Sequence, residues 1–214
     1  KRGSAYVLEP GVAKAPVYTI TRLAKPMITA TDVNNFRLEG LTFEYGRTDA
    51  IIVSNAANFA FLGNTVRNFG GRGLQVYEAK EARVQNNTFH HFGFAALILK
   101  GGDRPTLTPG ACVIENNEIS FTGRRQRTSP ESSTCEVGGC GNVLAHNWFH
   151  DTPASALRLG GNDHRISFNR FERCSFMSDD NGAIDMCNNM SYAGNRFVFN
   201  EFYDIGYKNP HCGN

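Results

Sequence analysis

Carboxylate side chains gather in one part of the chain, and a pair of carboxylates across a cleft is the arrangement that cleaves glycosidic bonds. One carboxyl group serves as general acid and the other as base or nucleophile. The acidic residues that lie on or near one strand of the repeat described below, or in the longer loops next to it, are Asp103, Glu131, Glu136, Asp163, Asp179, Asp180 and Asp185. Their position raises the hypothesis of an acid/base site.

Some of these residues share a position in short apolar–polar–apolar triplets. The middle residues of the triplets are Ile52, Gln75, Ile98, Glu136, Arg158 and Asp185. If the triplets are adjacent strands, the middle residues stack in an outward column with steps of about 5 Å. Glu136, Arg158 and Asp185 would then form a charged row that could bind a sugar chain. The alternative is cross-strand charge pairing on a solvated face.

A repeat positions these triplets. An asparagine followed two places later by a large apolar residue recurs at intervals of 22 or 23 residues, with three intervals of 30 or 31. The asparagines of the repeat are Asn64, Asn87, Asn117, Asn147, Asn169 and Asn200, and an earlier copy of the repeat has Leu41 in place of the asparagine. Three places before each of them, and two places after, every residue is apolar. Fixed periods of this length are typical of solenoids.

The periodicity predicts an all-β fold, a right-handed parallel β-helix of about seven coils. Coils this short can bury their apolar columns only by stacking on one another. The asparagines are expected to form an internal ladder, because a buried amide must be hydrogen-bonded.

The predicted organisation has a leading strand or cap in residues 1–33 and the coils in 34–214. Insertions are expected at 101–110, 123–141 and 175–182, all adjacent to the triplet strand. Loops that lengthen on one side of a solenoid usually build its binding face. The last coil lacks a closing strand, so further coils or another subunit are expected to cover the C-terminal end.

Composition excludes several classes of partner. The net charge of +2 and the pI near 8.3 argue against a nucleic-acid binder. The one basic run, residues 124–127 (Arg-Arg-Gln-Arg), is interpreted as a solvated loop. No apolar run reaches the length of a membrane span. Without a Cys-x-x-Cys pair or zinc spacing, we expect no metal site.

Cysteines and sequons favour an extracellular protein. An even number of cysteines predicts disulfides, most plausibly among Cys174, Cys187 and Cys212. Glycosylation sequons begin at Asn86 and Asn189. Because Lys1 is not an initiator methionine, we expect a processed or partial product, secreted or exposed at the cell surface.

Three glycine-containing phrases resemble those of bacterial β-helix glycoside hydrolases such as α-fucosidases and xylanases, and more distantly pectate-lyase-like proteins. The phrases begin at Gly101 (Gly-Gly-Asp-Arg), Gly160 (Gly-Gly-Asn-Asp-His) and Asp180 (Asp-Asn-Gly-Ala-Ile). The resemblance implies a catalytic carboxylate at Asp180 and a role, catalytic or structural, for Asp163 and His164. After Met186 the family's tryptophan-bearing phrase is absent.

Two functions remain open from the sequence. The first is a glycoside hydrolase acting on a polysaccharide without a cofactor, with catalytic residues drawn from Asp180, Asp163 and Asp185. Its expected substrate-binding residues are Glu136, Arg158, His164, Asp103, Arg104 and Gln75. A lyase variant would instead use Lys100, Arg158 or His164 as base and add Ca²⁺. The second function is a non-catalytic extracellular module, structural or adhesive.

Overall fold

The computed structural model describes residues 18–125, 133–177, 181–186 and 189–206, which contain strands, turns and bends but no helix. Twenty-two strands in this described part form three parallel sheets, with one short antiparallel addition. Each coil crosses the three sheets in the order A, B, C before the next coil begins.

Sheet A consists of β1 (Ile28–Asn34), β4 (Ile51–Ala57), β7 (Leu74–Lys80), β10 (Leu97–Asp103), β14 (Cys135–Gly139), β17 (Leu157–Leu159) and β20 (Ile184–Asp185), with β11 (Thr108–Pro109) antiparallel to β10. Sheet B consists of β2 (Arg37–Glu39), β5 (Ala60–Leu62), β8 (Arg83–Gln85), β12 (Val113–Glu115), β15 (Val143–Ala145), β18 (Arg165–Ser167) and β21 (Arg196–Val198). Sheet C consists of β3 (Thr42–Gly46), β6 (Thr65–Phe69), β9 (Thr88–Phe92), β13 (Glu118–Ser120), β16 (Trp148–Thr152), β19 (Arg170–Cys174) and β22 (Glu201–Tyr203).

The two apolar columns stack in the predicted register. Phe61 lies beside Val84 in sheet B, and Phe149 lies beside Phe171 in sheet C. The Phe149 and Phe171 rings are parallel, with centroids 5.1 Å apart, and both are fully buried. Like positions of successive coils therefore fill one continuous core. The prediction of an all-β, right-handed parallel β-helix of about seven coils is confirmed.

The asparagine ladder is also present. The side-chain oxygen of each ladder residue accepts hydrogen bonds from the backbone and amide nitrogens of the preceding one, as Asn117 does from Asn87. Each amide nitrogen also donates to a carbonyl of sheet B, as Asn117 does to Val84. In the first coil, where the asparagine is missing, the backbone nitrogen of Leu41 donates to Asn64. The ladder thus supplies hydrogen-bond partners for the backbone groups that are buried in the turn between sheets B and C.

The residue before each ladder position has a positive φ, which glycine and asparagine adopt most readily. Gly63 and Asn86 follow this preference, but Phe168 does not. The Phe168 ring stacks between those of His146 and Phe199, with centroid separations of 5.1 and 5.2 Å. Stacking along the turn therefore offsets the strained backbone of these aromatic residues.

The boundaries differ in detail from those predicted. Strand β1 begins at Ile28 and pairs in register with β4, so the first coil reaches into the predicted cap 1–33. The expected insertion 123–141 contains β14, so its extra length lies before Cys135. A further long turn, 186–195, joins sheets A and B. It was not predicted because it has no repeat residue to mark its limits.

The disulfide prediction is wrong for the cysteines in the described part of the chain. Cys112, Cys135, Cys140 and Cys174 are buried free thiols. The Cys174 thiol donates to the carbonyl of Glu172 at 3.4 Å, as a core residue does. Burial raises the pKa of Cys112 and of Cys174 to about 11, which keeps both thiols protonated. Cys187 and Cys212 lie outside the described residues.

Candidate functional site

The outer face of sheet A holds the predicted column. Backbone pairing places Gln75 beside Ile98, Ile98 beside Glu136, Glu136 beside Arg158, and Arg158 beside Asp185. Register in a parallel sheet is fixed when the opposite face is buried, because a slip of one residue would turn the core side chains outward. The apolar neighbours in each triplet therefore fix where these polar groups lie.

Glu136 and Arg158 are the distinctive feature of this face. They lie opposite each other on adjacent strands and are half-buried, yet neither makes a hydrogen bond or ion pair with any residue in the described ranges. The cross-strand charge pairing that the sequence allowed is thus not formed between them. Asp185 occupies the next step and is also half-buried.

A buried amide and a tyrosine extend the face toward the first coils. Gln75 is only 4% exposed, and its side-chain oxygen accepts a hydrogen bond from the Tyr77 hydroxyl at 2.9 Å. Its amide nitrogen has no partner. The ammonium group of Lys100 lies 5.8 Å from the centroid of the Tyr77 ring. Burial raises the pKa of Tyr77, and the nearby Glu136 carboxylate raises it further.

Two glycines lie in or directly after the strands of the charged row and are covered by neighbouring side chains. Gly138 lies next to Lys100, and Gly160 lies beneath Tyr192, whose hydroxyl oxygen would be 3.1 Å from a Cβ at Gly160. Because neither position carries a side chain, Lys100 and Tyr192 can lie close to the backbone of sheet A. An amine and a phenol thus flank Glu136 and Arg158.

Of the loops predicted to wall the face, the hairpin of β10 and β11 lies within the described part and follows sheet A. Residues 126–132 and 178–180, in the other two predicted loops, lie outside the described residues. Arg104 ties two loops together: its guanidinium donates to Asn162 at 3.0 Å and to the Ser191 hydroxyl at 2.7 Å, and it stacks on Tyr192. Arg104 is therefore a brace of the wall.

Two predicted acidic residues are engaged in turns. The Asp103 carboxylate accepts hydrogen bonds from the backbone and hydroxyl of Thr106, which closes the β10–β11 hairpin. Asp163 lies in the turn after sheet A, where its carboxylate faces the Cys140 thiol at 3.9 Å. Both residues are at the surface, but their contacts hold the wall in shape.

The Gly-Gly motifs have a structural explanation. A Cβ at Gly139 would overlap the carbonyl oxygen of Gly101, and one at Gly161 would overlap that of Gly139. Both Gly139 and Gly161 also have positive φ, at 96° and 115°. Coils at this turn stack backbone directly on backbone, which only glycine permits. These motifs therefore specify loop geometry at the wall of the face.

His164 was predicted to bind substrate, but it lies inside the protein, 1% exposed. Its Nδ1 accepts from the backbone of Asn142 at 3.1 Å, and its Nε2 donates to the carbonyl of Gly160 at 3.2 Å. The backbone nitrogen of His164 in turn donates to Asn195, so Asn142, His164 and Asn195 form a second, short ladder. Burial lowers the pKa of His164. Neither ring nitrogen is left for a ligand.

Asp180, the carboxylate implied by the resemblance, lies outside the described residues, as do Glu131 and Asp179. Both sequon asparagines, Asn86 and Asn189, are exposed. No group of three histidine, cysteine or acidic side chains suited to a metal ion occurs among the residues described. Within the same residues, no helix has the length and hydrophobicity to cross a membrane.

Sequence reasoning missed two contributors to the face, Tyr77 and Tyr192, and named Lys100 only as a base of the lyase alternative. Tyr77 and Lys100 follow the predicted column residues of their strands by two places, so strand alternation could have identified both as members of this face. Tyr192 lies in a loop without a repeat position, and no sequence signal marks it. Its place over Gly160 depends on the Arg104 brace.

Comparison with known proteins agrees with the architecture. The family described as right-handed beta helix region matches residues 26–210 of this chain. Neither the search of curated proteins nor that of solved structures found a match. The matched segment includes all the strands of the three sheets, because the first strand begins at Ile28 and the last ends at Tyr203. The chain therefore belongs to the right-handed β-helix family.

Proposed function

We propose that the outer face of sheet A binds a polysaccharide chain and that carboxylates on this face hydrolyse it. The observation that carries the proposal is the unpaired state of Glu136 and Arg158. Half-buried charges lose hydration, and a protein normally compensates them with an internal partner. Here both charges lie side by side on the outer face of sheet A without pairing, and we assign their compensation to the hydroxyl and acidic groups of a ligand.

The spacing of the column suits one class of mechanism. Glu136 and Asp185 lie two strands apart, with Arg158 between them. At about 4.8 Å per step, their Cα atoms are separated by about 10 Å. Inverting glycosidases place their two carboxyl groups about 6.5–9.5 Å apart, which leaves room for the attacking water. We assign Glu136 and Asp185 to this pair and Arg158 to substrate binding.

Asp180, which precedes Asp185 by five residues in the sequence, remains a candidate for the pair because the family resemblance implies a carboxylate there. Asp163 is the weaker candidate, since its carboxylate faces Cys140 in the turn beyond the strand. No cofactor is part of the proposal. The exposed sequons support secretion, which a mass shift on enzymatic deglycosylation of protein from a eukaryotic host would test.

A non-catalytic carbohydrate-binding module is the second candidate. Asp103, Arg104 and His164, three of the predicted binding residues, are engaged in contacts within the protein. A face with fewer free groups can bind a polymer without cleaving it. The two functions share the face and differ only in turnover.

The test measures binding and cleavage in parallel on xylan, fucose-containing polysaccharide and polygalacturonate. The variants are Glu136→Gln and Arg158→Gln, which remove charge and retain shape. Glu44→Gln and Arg67→Gln are matched controls, because Glu44 and Arg67 are also in register on adjacent strands, but of sheet C. Binding is measured by affinity electrophoresis, and cleavage by release of reducing ends.

A hydrolase requires cleavage by the wild type, its loss in Glu136→Gln, and weakened binding in Arg158→Gln. Binding that these variants weaken, with no cleavage by the wild type, indicates the binding module. Equal effects of the sheet A variants and their sheet C controls would contradict both functions.

A further inference from the structure

A second groove lies away from the outer column of sheet A, at the edge where sheet C turns into sheet A in the first coils. It has a volume of about 850 Å³. Its walls carry three arginines, Arg47, Arg124 and Arg125. Arg47 follows β3, and the other two begin the long turn after β13. We call it the arginine groove.

The arginines are fixed in place by backbone contacts. The backbone nitrogens of Arg124 and Arg125 donate to the carbonyls of Phe92 and Gly93, at 3.2 and 3.0 Å. The Arg125 guanidinium also donates to the carbonyl of Gly70 at 3.3 Å. A Cβ at Gly93 would lie 2.9 Å from Cδ of Arg125, so glycine makes room for this side chain. Arg124 and Arg125, the first two residues of the solvated loop expected at 124–127, are thus held in place by hydrogen bonds.

Positive charge in the groove is not balanced by the described residues. No carboxylate of the described part lines the groove, and none of the three arginines forms an ion pair with a residue in the described ranges. Arg47 is held through its backbone, which donates to the carbonyl of Leu23 at 3.2 Å. His91, on the same wall, has a pKa lowered by burial, by His90 and by Arg124.

Neutral polar groups complete the lining. Thr19 and Thr21 supply hydroxyls, Asn68 supplies an amide, and Tyr45 supplies an exposed ring. Three guanidinium groups bind oxyanions through paired N–H donors, whereas hydroxyls and an amide bind sugar hydroxyls. A nucleic acid fits this lining less well, because its bases stack on successive aromatic side chains and the groove offers the one exposed ring of Tyr45.

We propose that the arginine groove binds an acidic glycan through its sulfate or carboxylate groups. The groove spans the turns of four coils, or about 14 Å along the solenoid axis. An acidic segment of a polymer, held there, would have its neighbouring residues free to run along the protein surface. The proposal does not depend on catalysis at sheet A.

The probes are a dextran sulfate oligosaccharide, an oligogalacturonate and neutral dextran, measured by isothermal titration calorimetry at low and at 0.3 M salt. Arg124→Gln/Arg125→Gln removes two groove charges. Arg165→Gln/Arg196→Gln is the matched control, because Arg165 and Arg196 are an adjacent exposed pair on sheet B. Circular dichroism establishes that each variant is folded, and Arg47→Gln replaces the double variant if it is not.

We expect the wild type to bind at least one acidic probe and not neutral dextran. The groove variant should bind at least tenfold more weakly, and the control within twofold of wild type. Preference between the two acidic probes distinguishes sulfate from carboxylate. The groove is identified by the loss of acidic-probe binding in the Arg124→Gln/Arg125→Gln variant relative to the sheet B control, since both pairs leave the outer column of sheet A unaltered.

Three results would overturn the proposal. The first is wild-type protein that binds neither acidic probe. The second is equal weakening in the groove variant and the sheet B control, which indicates a diffuse field. The third is single-stranded DNA of equal charge that binds as tightly as the glycan, which indicates a polyanion site without glycan specificity.

Discussion

Asn117 lies in the middle of the asparagine ladder and is 2% exposed. Its oxygen accepts from the backbone and amide nitrogens of Asn87 at 2.9 and 2.8 Å, and its nitrogen donates to Val84 and Asn147, both at 2.9 Å. Asn117→Ala removes all four bonds and leaves the buried backbone N–H of Asn87 without a partner. At about 1–3 kcal/mol per unsatisfied buried group, we expect a loss of about 3–5 kcal/mol.

The neighbouring residue provides a control of the same type. Asn116 is exposed, has a φ of 52°, and makes one side-chain bond, to Asn86 at 2.7 Å. Asn116→Gly removes this bond without backbone strain, so its effect should be below about 0.5 kcal/mol. Urea unfolding followed by circular dichroism measures both free energies. If Asn117→Ala lost less than about 1 kcal/mol, the ladder would not be a stabilising element.

Three further predictions concern packing, pH and thiols. Phe149→Ala should lower the unfolding free energy by about 3–5 kcal/mol because it leaves a core cavity, whereas Tyr203→Ala, at a ring 60% exposed, should change it by less than about 1 kcal/mol. A hydrogen bond from Arg173 lowers the pKa of Asp151 from 3.8 to about 2. The stability that this ion pair contributes is therefore present above about pH 4 and lost as the pH falls toward 2, and Asp151→Asn should remove that part of the pH dependence of the urea midpoint. The four buried thiols should be alkylated only after denaturation, as intact mass would show; their rapid labelling in native protein would contradict the burial.

The fold could be predicted because the residues that repeat in the sequence are the ones that stack in the core. A ladder asparagine and its flanking apolar residues recur at fixed offsets, so the register of sheets B and C follows from aligning them. The register of sheet A follows in the same way and places Glu136 beside Arg158. Stacking imposes the same requirement on every coil, so the same residue types recur at the same position of each repeat.

The candidate site was less predictable because its geometry depends on loops. Histidine is a common catalytic base, but the two hydrogen bonds of the His164 ring place this residue in an internal ladder. The Gly-Gly motifs resemble a functional signature, although the backbone approach of Gly139 to Gly101 explains them. Arg104 has the charge of a substrate ligand and acts as a brace. Each assignment required knowing which partner faces the residue, and sequence spacing does not contain that information.

The three sheets of the solenoid differ in whether the charged side chains on their outer faces form ion pairs. On sheet C, Arg67 pairs with Glu44 at 2.7 Å, directly across adjacent strands. On sheet B, Arg37 pairs with Glu39 at 2.5 Å. On sheet A, Glu136 and Arg158 occupy the same relative positions as Glu44 and Arg67, yet no ion pair forms between them.

Strand spacing cannot explain this difference, because adjacent parallel strands are equally far apart in each sheet. What differs is the surroundings. Glu136 and Arg158 are each followed two places later by a glycine, Gly138 and Gly160, and the neighbouring strand β10 continues into an antiparallel hairpin with β11, whereas no hairpin extends the described strands of sheet C. A charge held apart from its neighbour retains its capacity to bind something else, at the expense of the stability that pairing would add. The lack of pairing between two opposite charges that lie in register is the physical reason to place ligand binding on this face.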